Sequence, residues 1–345
     1  MKPKGPTLKQ IADNLGLSIS TVSRALRGMP EINIETREAV IEYSKKLKYK
    51  LPSVNNSSPS DQAYLIGVIV PQLNEHFRKI ISGIDSAASE AGFSVIIAVS
   101  NNSYGRELTL VTRLLNHKVD GFIVCQSAET TSFDHFHKIQ KFNRPLIFIE
   151  KECKDVIAPT FLIDHNLGVG LATDHLLEKG YKKICFLGAA PYKSSRYLPE
   201  NGFLDKLFEK KVPDFEKKLI FGDFDNETAF NKTLELLKLP DRPDAFIASN
   251  DLVAAGILNA IKEVGFNIPK DIGLIGYFNE PLGQTLSPML TTVGVPANKL
   301  GKIAVNSLIE QVHLGIDQNP QITTLEPELI LRETTNIQRR FFGLG

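Results

Sequence analysis

The sequence predicts an α/β protein, with a small all-helical head followed by a much larger parallel α/β body. Three observations predict it. Residues 7–47 repeat a capped, amphipathic helix three times. From Tyr64 onward apolar strand runs alternate with helical periodicity, the mark of a parallel sheet. Between them, Pro52-Ser53-Val54-Asn55-Asn56-Ser57-Ser58-Pro59-Ser60-Asp61 is rich in turn and linker residues. The domains are therefore expected at 1–50 (head), 51–63 (linker) and 64–345 (body).

In the first helix, Thr7 followed by Gln10 fits a capping box, in which the hydroxyl and the side-chain amide each satisfy a free backbone N–H. Leu8, Ile11, Ala12 and Leu15 then form one apolar stripe, and Gly16 stands where a helix end wants positive φ. Ser18 can cap a second helix whose inner face is Val22, Ala25 and Leu26, ending at Gly28. Asn33 can cap a third, with Val40, Tyr43 and Leu47 turned inward. Two short helices joined by a tight turn make a helix-turn-helix, and the third closes its core. The second helix leaves Ile19, Ser20, Ser23, Arg24 and Arg27 outside, with short side chains at its N-terminal turn. That surface suits phosphate and base edges, and Arg24 can make a bidentate contact to guanine.

Composition agrees. The chain has 345 residues, 42% hydrophobic and 23% charged, enough apolar material for packed cores. Its net charge of +1 hides an asymmetry, because residues 1–60 hold ten of the 40 Lys/Arg and only five of the 39 Asp/Glu. A basic head on a mildly acidic body points to a polyanionic partner for the head. No run of about 18 apolar residues crosses a membrane, and no apolar segment follows the charged N-terminus as in a secretory leader. Cys125, Cys153 and Cys185 form an odd set without CxxC spacing, which reads as buried thiols in a reducing cytoplasm.

In the body, strands are expected at Leu65–Val70, Phe93–Val99, Gly121–Cys125, Leu146–Ile149, Thr160–Ile163, Lys183–Leu187, Ala245–Ala248 and Gly273–Gly276. A helix–Gly–aromatic ending recurs at Gly92-Phe93, Gly180-Tyr181 and Gly265-Phe266, suggesting two similar halves that meet near Ile163-Asp164.

The head motifs Thr7-Leu8-Lys9-Gln10-Ile11-Ala12, Gly16-Leu17-Ser18 and Thr21-Val22-Ser23-Arg24-Ala25-Leu26 resemble the N-terminus of the LacI/GalR family of bacterial repressors. Glu35-Thr36-Arg37 and Leu47-Lys48-Tyr49 continue the match. The resemblance implies that Ile19 and Ser20 hold the two variable base-reading positions. It places Ser18, Thr21, Ser23 and Arg24 at the more uniform contacts, and Thr7, Lys9 and Asn33 at phosphates or groove edges. Ile19 has no hydrogen-bonding group and can read only apolar features such as a thymine methyl. The linker departs from the family, with Asn55 where Ala is usual and Ser58 in place of the Leu that wedges into the minor groove.

The body resembles the effector module of the same family, which is similar to periplasmic sugar-binding proteins. Ile66-Gly67-Val68-Ile69-Val70-Pro71, Asp120-Gly121-Phe122-Ile123, Ser249-Asn250-Asp251, Ile275-Gly276-Tyr277 and Leu290-Thr291-Thr292-Val293 carry the likeness. It implies two doubly wound parallel α/β lobes linked by three crossovers, lobe one at about 64–162 and 293–320, lobe two at about 163–292 and 321–340. A ligand would lie at the carboxyl ends of the strands. Candidate effector residues there are Asn74, His76, Phe77, Asn101, Asn102, Gln126 and Ser127 in the first lobe. The second offers Asp164, Arg196, Asn250, Asp251 and Asn279. Amides, carboxylates and an aromatic face suit a sugar or sugar derivative. Pro199 in place of a usual ligand-binding Arg, and Phe278 in place of Asp, argue against a simple hexose.

Catalytic signals are poor. Gly168-Val169-Gly170 lacks the third glycine of a dinucleotide fingerprint, Asp164-His165 has no nucleophile elbow, and Asp134, His135 and His137 read as a surface helix, not a metal cluster. No cofactor and no metal are expected. The resemblance therefore implies a cytoplasmic transcriptional regulator, a repressor of a carbohydrate-use operon, binding a pseudo-palindromic operator as a homodimer. The alternatives left open are a soluble sugar-binding receptor without DNA function and an activator of the same family.

Overall fold

The structure is a computed structural model and describes residues 7–26, 32–47, 49, 64–188, 199–213, 219–222, 224–316 and 320–336. The linker 51–63, Arg27 and Arg196 lie outside the described residues.

The head is three helices, α1 (Leu8–Leu15), α2 (Ile19–Leu26) and α3 (Ile34–Lys46). Both halves of the expected capping box form between Thr7 and Gln10, and Gly16 takes φ 62° as the αL cap. Leu8, Ile11, Ala12, Val22, Ala25 and Val40 make its core, with Tyr43 and Leu47 packed against them.

In the body, β1 (Tyr64–Val70), β2 (Phe93–Val99), β3 (Gly121–Val124), β4 (Leu146–Ile149) and β5 (Thr160–Ile163) form the first sheet. The helices α4 (Glu75–Glu90), α5 (Tyr104–Asn116) and α6 (Asp134–Lys141) connect its first four strands. The second sheet repeats the winding with β6 (Ile184–Gly188), β7 (Leu219–Phe221), β8 (Ala245–Ala248), β9 (Gly273–Tyr277) and β10 (Thr291–Gly294). Its helices are α7 (His165–Glu178), α8 (Pro199–Glu209), α9 (Asn226–Leu237), α10 (Asp251–Val264) and the short α11 (Pro281–Thr285). After β10 the chain returns to the first lobe as α12 (Ala297–Leu314) and β11 (Ile322–Leu325), then gives β12 (Glu328–Ile330) to the second. The orders are β11-β5-β4-β3-β1-β2 and β12-β10-β9-β8-β6-β7, the same order twice. β11 runs parallel to β5, and β12 antiparallel to β10. The central strands β3, β4, β5 and β8 are buried along their whole length, as unbroken apolar runs require when helices cover both faces.

Two sequence expectations need correction. β11 pairs with β5, so residues 322–325 belong to the first lobe and not, as the boundary at 321 had it, to the second. The short edge strands β7, β11 and β12 and the Thr-rich β10 were not among those expected. Unlike the similarly short but fully buried β3, β4, β5 and β8, these segments are partly exposed or Thr-rich and give a weaker apolar signal. By contrast, Gly92, Gly180 and Gly265 all take positive φ (79°, 95° and 87°), as their place after a helix requires.

In the first lobe α4 and α12 pack backbone to backbone. A Cβ on Gly83 would run into the carbonyl oxygen of Asn298, and one on Gly301 into that of Ile80. Gly83→Ala should therefore force the two helices apart and lower stability by about 1–3 kcal/mol. Urea unfolding with an unchanged slope is the measurement, and a midpoint equal to the wild type would refute this contact.

Candidate nucleic-acid face and interlobe cleft

Ser18 caps α2, its Oγ accepting from the Thr21 backbone N–H at 3.0 Å and lying 2.8 Å from Ser20 Oγ and 2.7 Å from Thr21 Oγ1. Three hydroxyls are thus gathered at the N-terminus of one helix, where unpaired amides favour an anion. Asn33 caps α3 through Thr36 (2.7 Å), and Lys9 is exposed on α1. Ile19 and Arg24 are half exposed and Ser20 is exposed. Ser23 was expected outside but is buried, in a concavity that α2 shares with Ile303, Ser307 and Glu310 of α12.

The carboxyl ends of both sheets meet at the crossovers, and many of the expected effector residues are tied up there in the fold itself. Asn74, Asp164 and Asn250 each cap the helix that follows, accepting from Phe77 (3.0 Å), Leu167 (2.8 Å) and Val253 (2.8 Å). Phe77 is a core residue. Ser127 is buried, its N–H donating to Glu107 (2.6 Å) and its hydroxyl to Ser100 (2.7 Å). Asn102 accepts from Ala128 at 3.3 Å, and both Asn101 and Asn102 sit in the left-handed region. Asp251 is fully buried and accepts from the Thr292 hydroxyl (2.7 Å) and the Glu280 N–H (2.6 Å). Asn279 accepts from Arg332 at 2.7 Å. Gln126 is buried with its Nε2 lacking a hydrogen-bond partner, although Lys151 donates to its carbonyl oxygen at 2.9 Å.

His76 is the one expected effector residue among the described residues that stands at the centre, and the residues around it are not among those expected. Glu150, the residue after β4, has φ 64°, and its side chain is 8% exposed. Its Oε1 accepts from His76 Nε2 (2.9 Å) and its Oε2 from His165 Nε2 (3.1 Å). Burial alone would raise this carboxyl. The charge of His76 when protonated and the hydrogen bonds from both imidazoles outweigh it and hold Glu150 well below the usual range. A carboxylate only accepts, so each Nε2 carries the proton, and His165 Nδ1 then accepts from the Tyr277 hydroxyl at 3.1 Å. Tyr277 is pushed up by burial and by the charge of Glu150. Phe278 packs on the His76 ring with centroids 4.6 Å apart. The position of Glu150 at a strand's carboxyl end is the signal that could have found it; Gln126 after β3 was picked out on that rule. His165 carries no sequence signal beyond a weak catalytic pairing with Asp164.

A second buried carboxylate, Glu107, lies behind the first lobe's cleft wall. Burial raises it, but hydrogen bonds from His135 (2.9 Å), Thr130 (2.7 Å) and Ser127 hold it below its ordinary value. His135 is therefore buried and bonded instead of lying on a surface helix. Among the described residues no group of three His, Cys, Asp or Glu is placed to hold a metal.

Residues 7–51 match the family model for bacterial regulatory proteins of the lacI family, and residues 173–335 that for a periplasmic binding protein-like domain. The ribose operon repressor of Halalkalibacterium halodurans is 30% identical over 337 residues, covering 95% of this chain and 97% of that protein. The chain belongs to the lacI family. Among solved structures, the lac repressor dimer bound to operator and the anti-inducer ONPF superposes with TM-score 0.70 at 25% identity, covering 96% of this chain and 99% of that one. A LacI family regulator from Enterococcus faecium with bound ribose gives TM-score 0.68 at 26% identity, covering 78% and 98%. This lacI-family chain is a DNA-binding transcriptional regulator whose head and ligand module are both in place. No helix among the described residues is long and apolar enough to cross a membrane.

Glu280 sits half-buried at the cleft mouth, raised to about 7 by burial and by the neighbouring Asp251 charge, against the pull of Lys79. Its folded value lies above its ordinary one, so its contribution to stability is full below about pH 4.5 and is lost as pH rises through 7. Glu280→Gln should then become more stable relative to wild type across that window, by about 1 kcal/mol after allowing for solvent screening. Chemical denaturation at pH 4.5 and pH 8 checks it, and a difference independent of pH would refute it.

Proposed function

We propose that the protein represses a carbohydrate-use operon, binding a pseudo-palindromic operator as a cytoplasmic homodimer, with a sugar or sugar derivative as effector between its lobes. It acts by binding, without an enzymatic reaction of its own. The observation that carries the reading is the union, on one chain, of the hydroxyl-rich N-terminus of α2 beside Arg24 with a two-lobed module whose strand ends converge. Relatives support it: one is named a ribose operon repressor, one was solved as a dimer on operator, and one, matching 78% of this chain, was solved with ribose.

On the operator, Ser18, Ser20, Thr21 and Arg24 meet phosphates and base edges, Ile19 reads an apolar group, and Lys9 with Thr7 and Asn33 sets the register on the backbone. In the cleft, Glu150, His76, His165 and Phe278 supply the surface that the effector meets, with Gln126 offering an unpaired amide. The capping residues Asn74, Asp164 and Asn250 shape that surface by fixing the helices.

Selection of bound duplexes from a random pool by the full-length protein tests the reading. Enrichment of one two-fold symmetric site is expected. Half-sites alone would overturn the dimer, and no enrichment would overturn specific binding by the ligand-free protein. On the selected site, Arg24→Ala should weaken binding roughly 10- to 100-fold while leaving binding to random duplex little changed. Titration at several salt concentrations separates the two, because phosphate contacts alone set the salt slope.

A further inference from the structure

Side chains from the first lobe reach one short stretch of the second. Lys79 of α4 donates through Nζ to the carbonyl oxygens of Phe278 (3.0 Å) and Asn279 (2.8 Å). One turn earlier on the same helix, the His76 ring packs on the Phe278 ring. Glu150, at the end of β4, bridges His76 to His165, the first residue of α7, and His165 passes the link to Tyr277 at the end of β9. All of these contacts lie at the strand ends where a ligand between the lobes would sit. Glu150, Phe278 and Asn279 have φ of 64°, 82° and 47°, a left-handed backbone that non-glycine residues keep only where their surroundings hold it. Those surroundings are the bridging side chains together with backbone bonds from Glu150 N–H to Phe161 and from Phe278 N–H to Val293.

We propose that these side chains form an internal latch that ties the two lobes together across the cleft, with Lys79 as its strap and the His76–Glu150–His165 bridge as its bolt. The proposal rests on the cleft as the effector site and adds the contacts that a ligand there must displace. Both Glu150 oxygens and both strapped carbonyls are acceptors, so a ligand that opens the latch must bring hydrogen-bond donors, as polyols and amines do. His76 Nδ1 is buried at the same place without a hydrogen-bond partner.

The test uses full-length, ligand-free protein and hydrogen–deuterium exchange read by peptide. Lys79 is only half-buried, so Lys79→Met should leave the fold intact, which the melting curve checks. Amides across 278–283 should exchange about tenfold faster in Lys79→Met, as loss of a charged donor predicts, while β3 exchanges as in wild type. Lys79→Arg restores a cation and should exchange like wild type. Glu150→Gln should loosen 163–168 in the same way. If Lys79→Met exchanges as slowly as wild type across 278–283, or if Lys79→Arg is as fast as Lys79→Met, the latch is wrong. A ligand footprint found elsewhere would instead overturn the cleft as effector site and would leave these ligand-free rates unaltered.

Discussion

Three crossings of the chain between the two sheets decide where everything else in the body can stand. The chain leaves the first sheet after Ile163, returns to that lobe through 295–296, and leaves again after Leu325. Because the strands paired with those crossings run the same way in each sheet, both sheets present their carboxyl ends to the crossings. The space between the lobes is thus lined by the loops that turn strands into helices. Among the described residues, no other surface of the body brings two sets of such loops together. The cleft follows from topology, before any side chain is considered.

That constraint has a chemical consequence. A loop that turns a strand directly into a helix must satisfy the first free N–H groups of that helix, and Asn, Asp and Ser do so best. Polar residues therefore gather at the cleft whether or not a ligand exists. This is why the sequence was a good guide to the place and a poor one to the contacts. Asn74, Asp164 and Asn250 carry the right chemistry for a polyol, but their oxygens already serve Phe77, Leu167 and Val253. Ser127 likewise serves Glu107. Spacing reveals a polar residue after a strand; it does not reveal whether a backbone amide two or three residues on has claimed it.

The head was legible almost residue by residue, since its signals are local: a capping box, an αL glycine, and stripes at helical spacing. Most body strands were legible too, because buried parallel strands are unbroken apolar runs. The rest depended on partners far away in the chain. β11 belongs to the first lobe only because β5 pairs with it across some 160 residues. Glu150 meets His76 from 74 residues away, and Glu107 meets His135 from 28. No periodicity encodes such a meeting. Ser23 is read outside for a related reason: the helical wheel of α2 carries no trace of α12, which lines the same concavity as the buried Ser23.

The cleft's electrostatics set the terms on which any ligand enters. Asp251 is fully buried and raised to about 6 because burial outweighs its hydrogen bonds, whereas Glu150 is held low because two imidazoles reach it. The first is a structural carboxyl that holds the 280 loop through its backbone N–H; the second is a buried acceptor whose partners both lie in the cleft. A neutral ligand that pulled one imidazole away would have to supply an equally good donor, since an unsatisfied buried carboxylate costs several kcal/mol. Phe278 adds an aromatic face against His76, one of the two imidazoles that hold the Glu150 carboxylate. A donor-bearing molecule with an apolar face fits that pairing better than a hexose hydroxylated on every side, because Phe278 can cover only carbon.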